Sequence, residues 1–238
     1  MKHITLLLLL MTSSIANAFV IGPTAPGKWG DPTFGTGANI TYSYMAGGEN
    51  CDLGPCSSLA SFMPAGFEAE ITRAFDAWSA VADLSFTLVA DGGEDFNAPG
   101  TSGDMRFAGE FFDGAGGTLA HGFYPPNNGN TAAGDMHFDT GDSWEIGADG
   151  TGDGVFDIFT VALHEIGHAL GLDHENNNLA VMNPFYAELG ALQADDIAGI
   201  QHLYGPARTS APEPSALLLL AMGLALFGAQ KMVRSKNS

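Results

Sequence analysis

His164-Glu165-Ile166-Gly167-His168-Ala169-Leu170-Gly171-Leu172-Asp173-His174 is the most informative stretch of this 238-residue chain. His164 and His168 stand four apart, so on a helix both imidazoles leave one face and can hold one Zn²⁺, with Glu165 beside them to handle a proton. A continued helix would not bring His174 to the same ion. Gly171 supplies the permissive backbone that ends the helix and lets the chain turn back with a third nitrogen. Three nitrogens leave a fourth zinc position open, as in catalytic rather than closed structural sites. The pattern predicts a water made acidic by zinc, with Glu165 taking its proton and passing it to a leaving amine.

Working outward, Asp157 to Leu170 and Leu192 to Tyr204 read as helices, with Asp157 and Gln193-Ala194-Asp195-Asp196 supplying acceptors or acids at their starts. Gly66 to Val81 reads as an amphipathic helix, because Phe67, Ile71, Ala74, Phe75 and Trp78 recur at three- and four-residue spacing. Asn39–Met45, Leu84–Val89, Asp104–Phe107, Thr118–Phe123 and Asp135–Phe138 are expected strands. Gly-, Asn- and Asp-rich connectors separate them at 91–103, 125–134 and 147–154. Asp149-Gly150-Thr151-Gly152-Asp153-Gly154 hints at a calcium loop, but Thr160 stands where an EF-hand wants Glu, so it reads as a connector. Strands first and two late helices make an α+β class.

Beyond the histidines, Ala180-Val181-Met182-Asn183-Pro184-Phe185-Tyr186 and Leu192 to Gly205 complete a pattern that resembles the matrixins, the matrix-metalloprotease type of metzincin catalytic domain. Phe112 to His121 and Gly134 to Trp144 resemble the family's metal-binding loops and strands. The matches are scattered over about Trp29 to Gly205. The resemblance implies a zinc endopeptidase acting on protein or peptide substrates. Its fold would be a twisted, mostly parallel sheet of about five strands with an antiparallel edge strand and three helices. The zinc cleft would lie between upper and lower subdomains.

By position the resemblance implies further roles. Met182 would be the Met-turn residue packed beneath zinc. Asp113, Gly114, Gly116, Thr118, Asp139 and Asp142 would hold calcium, a ligand chemistry that agrees with carboxylates plus carbonyls freed by glycine. His121 and His137 match two ligands of a second, structural zinc; the other two have no counterpart, with Asp104 or Glu110 as candidate substitutes. Ala120, on the edge strand, would border an extended substrate, and Thr160 and Tyr186 the pocket beyond zinc. Glu175 after the third histidine is similar to astacin-type relatives. A Pro-Arg-Cys-Gly prodomain does not intervene between Ala18 and the domain, so restraint is expected from export or inhibitors.

Charge and ends bound the setting. The chain carries 8 Lys+Arg against 27 Asp+Glu, a formal net charge of −19. Such a surface repels phosphate backbones and excludes nucleic-acid binding while suiting hard divalent cations. Met1-Lys2-His3, the apolar run Ile4 to Met11 and Ala16-Asn17-Ala18 read as a signal peptide over residues 1–18. The matrixin-like domain is expected over 19–206 and a linker over 207–214. The tail 215–238 has 14 apolar residues, Ala216 to Ala229, before Lys231, Arg234 and Lys236. That is short of the roughly 20 needed to span a bilayer. Pro212, Glu213 and Pro214 followed by this tail resemble the PEP-CTERM sorting signal of Gram-negative bacteria. The resemblance implies an exosortase-type processing enzyme, an exopolysaccharide matrix as surroundings and transient anchoring at the cell surface; an ordinary membrane anchor is the alternative. In an exported chain Cys51 and Cys56 read as a small-loop disulfide, with two free thiols near a metal site as the other possibility. A monomer is expected. The rival to an enzyme is a non-catalytic metal-binding matrix or adhesion module.

Overall fold

Alternating burial along Ala-Asn-Ile-Thr-Tyr-Ser-Tyr and unbroken burial along Met-Arg-Phe-Ala-Gly-Glu set the sheet: the first strand shows Asn39 to water, while the second is covered throughout. The computed structural model describes residues 19–129, 131–147, 154–176 and 179–208. The expected signal peptide, most of the 149–154 connector, Pro212, Glu213, Pro214 and the tail lie outside these residues.

In chain order the elements begin with β1 (Val20–Ile21), β2 (Ala38–Tyr44), β3 (Gly47–Asn50), β4 (Pro55–Ser57) and α1 (Phe67–Val81). They continue with β5 (Leu84–Leu88), β6 (Met105–Glu110), β7 (Ala120–Gly122), β8 (Met136–Asp139), β9 (Ser143–Glu145) and β10 (Val155–Asp157). The chain closes with α2 (Ile158–Ala169), β11 (Leu172–Asp173) and α3 (Ala194–Tyr204). Strands β5, β2, β6 and β8 pair in parallel in that order, and β7 runs antiparallel on β8. The hairpin β3–β4 joins β6 antiparallel at Ser57 and Gly109. Two small pairs, β1 with β11 and β9 with β10, stand apart from this sheet. The fold is thus the expected α+β arrangement of a mostly parallel sheet, an antiparallel edge strand and three helices. The edge strand is shorter than expected, Ala120–Gly122 rather than Thr118–Phe123, and the short pieces β1, β3, β4, β9, β10 and β11 are additions.

Helix α1 buries Phe67, Ile71, Ala74, Phe75 and Trp78 against the sheet and α2. Trp78 is fully enclosed, and its Nε1–H donates to Leu163 O at 3.1 Å. A large apolar side chain buried this way stabilises by about 2–3 kcal/mol. Glu70 also lies on the buried face, paired with Arg73 at 2.8 Å. Helix α2 is buried almost all round, which fixes the rotation of its histidines. Its start is capped by Asp157, which accepts from Thr160 N at 2.9 Å. At its far end the carbonyls of Ala169 and Leu170 accept from Trp29 Nε1 at 2.7 Å and Tyr204 Oη at 2.9 Å, satisfying groups the helix leaves unpaired. Gly171 then turns the chain at φ 108°; a Cβ there would lie 2.2 Å from Gly27 O. Among the described residues no helix is long and apolar enough to cross a membrane.

Candidate active site

The turn at Gly171 brings a third imidazole back to the helix. His174 Nε2 lies 3.1 Å from His164 Nε2 and 3.0 Å from His168 Nε2. On two of the rings the opposite nitrogen is committed: His164 Nδ1 donates to Val181 O at 2.7 Å and His168 Nδ1 to Leu172 O at 2.8 Å. Burial holds both below the usual histidine range, His164 at about 3 and His168 at about 4, and lowers His174 as well. Neutral rings with Nδ1–H engaged aim their Nε2 lone pairs at one point, a repulsive arrangement unless a cation sits there. The donor chemistry fits zinc.

Glu165 is buried beside these rings, with Oε2 lacking a hydrogen-bond partner. Burial pushes its carboxyl up to about 8, only partly offset by the Gly122 N–H. A group poised there passes between proton acceptor and donor near neutrality. Gly122 is required at this contact: a Cβ would lie 2.7 Å from Glu165 O and 3.1 Å from Glu165 Oε2.

Several supports were not legible in the sequence. Asp196, at the start of α3, accepts from Val181 N at 3.0 Å, Met182 N at 3.2 Å and Gln193 N at 2.8 Å. It therefore fixes the turn whose carbonyl holds His164, a task hidden behind its reading as a helix-start acid. Tyr124 Oη donates to Asp173 Oδ1 at 2.7 Å, and the same oxygen accepts from His174 N at 2.7 Å. Nothing in the local sequence of Tyr124 signals this. Met182 packs beneath α2 with its sulfur against Gly167.

A cleft of about 480 Å³ runs past the histidines, bordered by Ala120, Thr160, Glu165, Val181 and Tyr186. Its volume suits a ligand of side-chain to small-peptide size. Thr160 spends its hydroxyl on Asp157 Oδ2 at 2.6 Å, and Tyr186 Oη accepts from Asp157 N at 3.1 Å. The Thr160 hydroxyl is therefore spent within the wall, while the Tyr186 hydroxyl keeps its own proton to donate.

The acidic loops also meet. Asp139 accepts from Phe112, Gly114 and Gly141 N–H at 3.2, 3.2 and 2.8 Å; Asp142 Oδ1 accepts from Gly116 N at 2.7 Å; Asp113 accepts from Thr118 N at 3.1 Å. Burial, then the charges of Asp139 and Asp113, raise the Asp142 carboxyl, and Asp142 Oδ2 is buried without a partner. Three carboxylates drawn together with one oxygen orphaned fit a hard divalent cation.

His121 and His137 come together differently. His121 Nε2 and Glu110 Oε2 each lie 2.9 Å from His137 Nδ1, while Asp104 is engaged far off by Thr41. Cys51 and Cys56 are joined in a disulfide beside this group. Two imidazoles and one carboxylate fall short of the four donors a closed structural zinc needs, so this set does not fit the second zinc while the disulfide stands.

Comparison with known proteins decides the family. The matrixin model, a peptidase family, matches residues 57–205. The chain belongs to the matrixin family. It is 42% identical over 154 residues to macrophage metalloelastase of Oryctolagus cuniculus, covering 62% of this chain and 31% of that protein. Matrix metalloproteinase-20 of Homo sapiens is 37% identical over 165 residues, covering 66% of this chain and 32% of that protein. For matrix metalloproteinase-16 of Rattus norvegicus the figures are 42% over 150 residues, 57% and 23%. This matrixin chain thus spans at most about a third of the length of these relatives.

Proposed function

We propose that this matrixin is an exported zinc endopeptidase with Glu165 as its general base and acid. The observation that carries the reading is the meeting of three imidazole Nε2 atoms at one point beside a buried, partnerless Glu165 oxygen, on the wall of a cleft. His164, His168 and His174 would hold zinc, which when bound acidifies a water and polarises a carbonyl. An extended substrate would lie antiparallel along the β7 edge at Ala120, a mode in which main-chain hydrogen bonds set the register. Its side chain beyond the scissile bond would enter between Thr160 and Tyr186. Glu165 takes the proton of the attacking water and delivers it to the departing amine. Its burial excludes bulk water from that transfer.

Asp113, Asp139 and Asp142, with carbonyls of the glycine-rich loop, would hold calcium and so stiffen the loop that leads into β7. Export through residues 1–18, processing at Pro212-Glu213-Pro214 and residence at the surface of a Gram-negative cell complete the reading, supported by the sequence patterns at the two ends.

The test is cleavage of a mixed quenched-peptide pool by residues 19–207, supplied with zinc and calcium, beside the Glu165→Gln variant. Turnover in the first and a loss of at least about 100-fold in the second, with zinc content unchanged, is expected. Equal turnover would remove Glu165 from the reaction. A folded, zinc-loaded chain that cuts nothing would favour a metal-stiffened binding module.

A further inference from the structure

Cys51 and Cys56 are both buried, and His137, which Cys51 meets, is fully enclosed. Cys51 Sγ lies 3.6 Å from His137 Nε2, on the ring edge turned away from His121. On the other edge Nδ1 lies 2.9 Å from both Glu110 Oε2 and His121 Nε2, so Nε2 is the ring nitrogen that faces sulfur. Glu110 does a second job: its Oε1 accepts from Leu53 N and from Gly54 N at 2.7 Å, pinning the loop that carries both cysteines. Donor atoms of Cys51, Glu110 and His137 all lie within 4.8 Å of one another.

Sulfur and nitrogen bound to one tetrahedral metal, at about 2.3 and 2.0 Å, sit roughly 3.5 Å apart. The Cys51–His137 spacing already has that value without an ion. A carboxylate holding the far nitrogen of a ligand histidine is the arrangement that fixes ring orientation at metal sites. The bond between the sulfurs keeps both from acting as thiolate donors.

We propose that Cys51, Cys56 and His137, oriented by Glu110, form a second metal site that opens when the disulfide is reduced and takes a thiophilic divalent cation such as Zn²⁺. A dithiol reductant gives two electrons and two protons as it closes its own disulfide. The Cys51–Cys56 bond breaks and two thiols form. Metal entry then displaces both thiol protons to solvent, and Sγ of Cys51, Sγ of Cys56 and Nε2 of His137 become donors, with water in the fourth position. Thiolate donors select soft and borderline ions over calcium or magnesium. The loop would thus be closed by a disulfide under oxidising conditions and by a metal under reducing ones, keeping the β3–β4 hairpin docked on β6 in both.

Cobalt(II) is the probe, because a thiolate-to-cobalt charge-transfer band in the near ultraviolet cannot arise from the three-histidine site. The full chain is titrated with Co²⁺ with its disulfide intact and after a phosphine reductant that does not bind the metal, with near-ultraviolet circular dichroism as the check on folding. The band is expected only after reduction, with native dichroism retained. Binding should weaken about 10–100-fold in Glu110→Gln and at least as much in His137→Ala. No band in the reduced chain overturns the proposal. So does a band that appears only when native dichroism is lost. An affinity unchanged in Glu110→Gln and His137→Ala would reduce the site to a bare dithiol and overturn it equally. Peptide hydrolysis plays no part in these readouts.

Discussion

A methyl group at position 167 would meet Met182 Sδ at 2.4 Å and Trp78 Cζ2 at 3.1 Å. Gly167 is therefore the residue that lets the zinc helix settle on the Met-turn, and the reason is steric rather than conformational. Gly167→Ala gains about 1 kcal/mol of helix propensity and loses about 1–3 to overpacking. A net loss of up to about 2 kcal/mol in urea unfolding is expected, partly recovered in the Gly167→Ala/Met182→Ala pair relative to the sum of the single changes. Strict additivity would show that the two residues do not press on each other. At this scale the sequence is a good guide where chemistry depends on spacing along one helix: His164, His168 and Glu165 were legible because four residues make one turn. Tyr124 and Asp173 were not, because their hydrogen bond joins residues 49 apart and neither residue type is unusual in a loop.

At the scale of elements, the zinc helix is held by partners at each end and by the turn that follows it. Asp196 links α3 to that turn, so its effect should appear in metal affinity more than in secondary structure. Asp196→Asn keeps the shape but weakens acceptance from Val181, Met182 and Gln193 N–H. Loss of such support typically costs 10–100-fold in metal affinity. Zinc competition against a chromophoric chelator should show a fall of about 10-fold or more with native circular dichroism retained; unchanged affinity would make Asp196 a helix cap alone. The three helices were readable because a 3.6-residue period persists over 11 to 15 residues in each. The parallel strands β5, β2, β6 and β8 and the edge strand β7 were found within a few residues of their ends. The missed pieces, β1, β3, β4, β9, β10 and β11, are two to four residues long. No period of two can be seen in so few residues, and their pairing is set by the tertiary fold. Glu70 on the buried face of α1 was hidden for a related reason, since its burial depends on Arg73, which also covers the Phe159 ring at 3.8 Å.

Across the domain the sign of the charge is nearly uniform, and two of its three cations are spent inside. Between Phe19 and Gly205 the cations are Lys28, Arg73 and Arg106. Lys28 and Arg106 are 1% and 3% exposed. Lys28 donates to Trp29 O at 2.8 Å and lies over the Tyr204 ring, tying the first loop to α3. Arg106 donates from Nε and Nη2 to both oxygens of Asp91 at 2.9 and 2.8 Å and from Nη2 to Glu94 O at 2.9 Å, tying the 91–103 connector to the central strand. Burial raises the Asp91 carboxyl, but the hydrogen bonds from Arg106, Ser43 and Gly93 outweigh it and hold it at about 2. A carboxylate lower in the folded chain than its ordinary 3.8 contributes stability at every pH above that value, and the contribution disappears as pH falls toward 2. Mild acid also relieves repulsion among the surface carboxylates, so stability should not fall monotonically from neutrality. Urea unfolding of the disulfide-intact chain is expected to show a steep loss between about pH 4 and pH 2. Asp91→Asn removes one member of a buried pair and should cost about 3 kcal/mol at pH 7 while flattening that acid limb. A variant with the same acid limb as the parent would place the acid sensitivity among the surface carboxylates instead, and added salt, which screens those but not the buried pair, would then shift it.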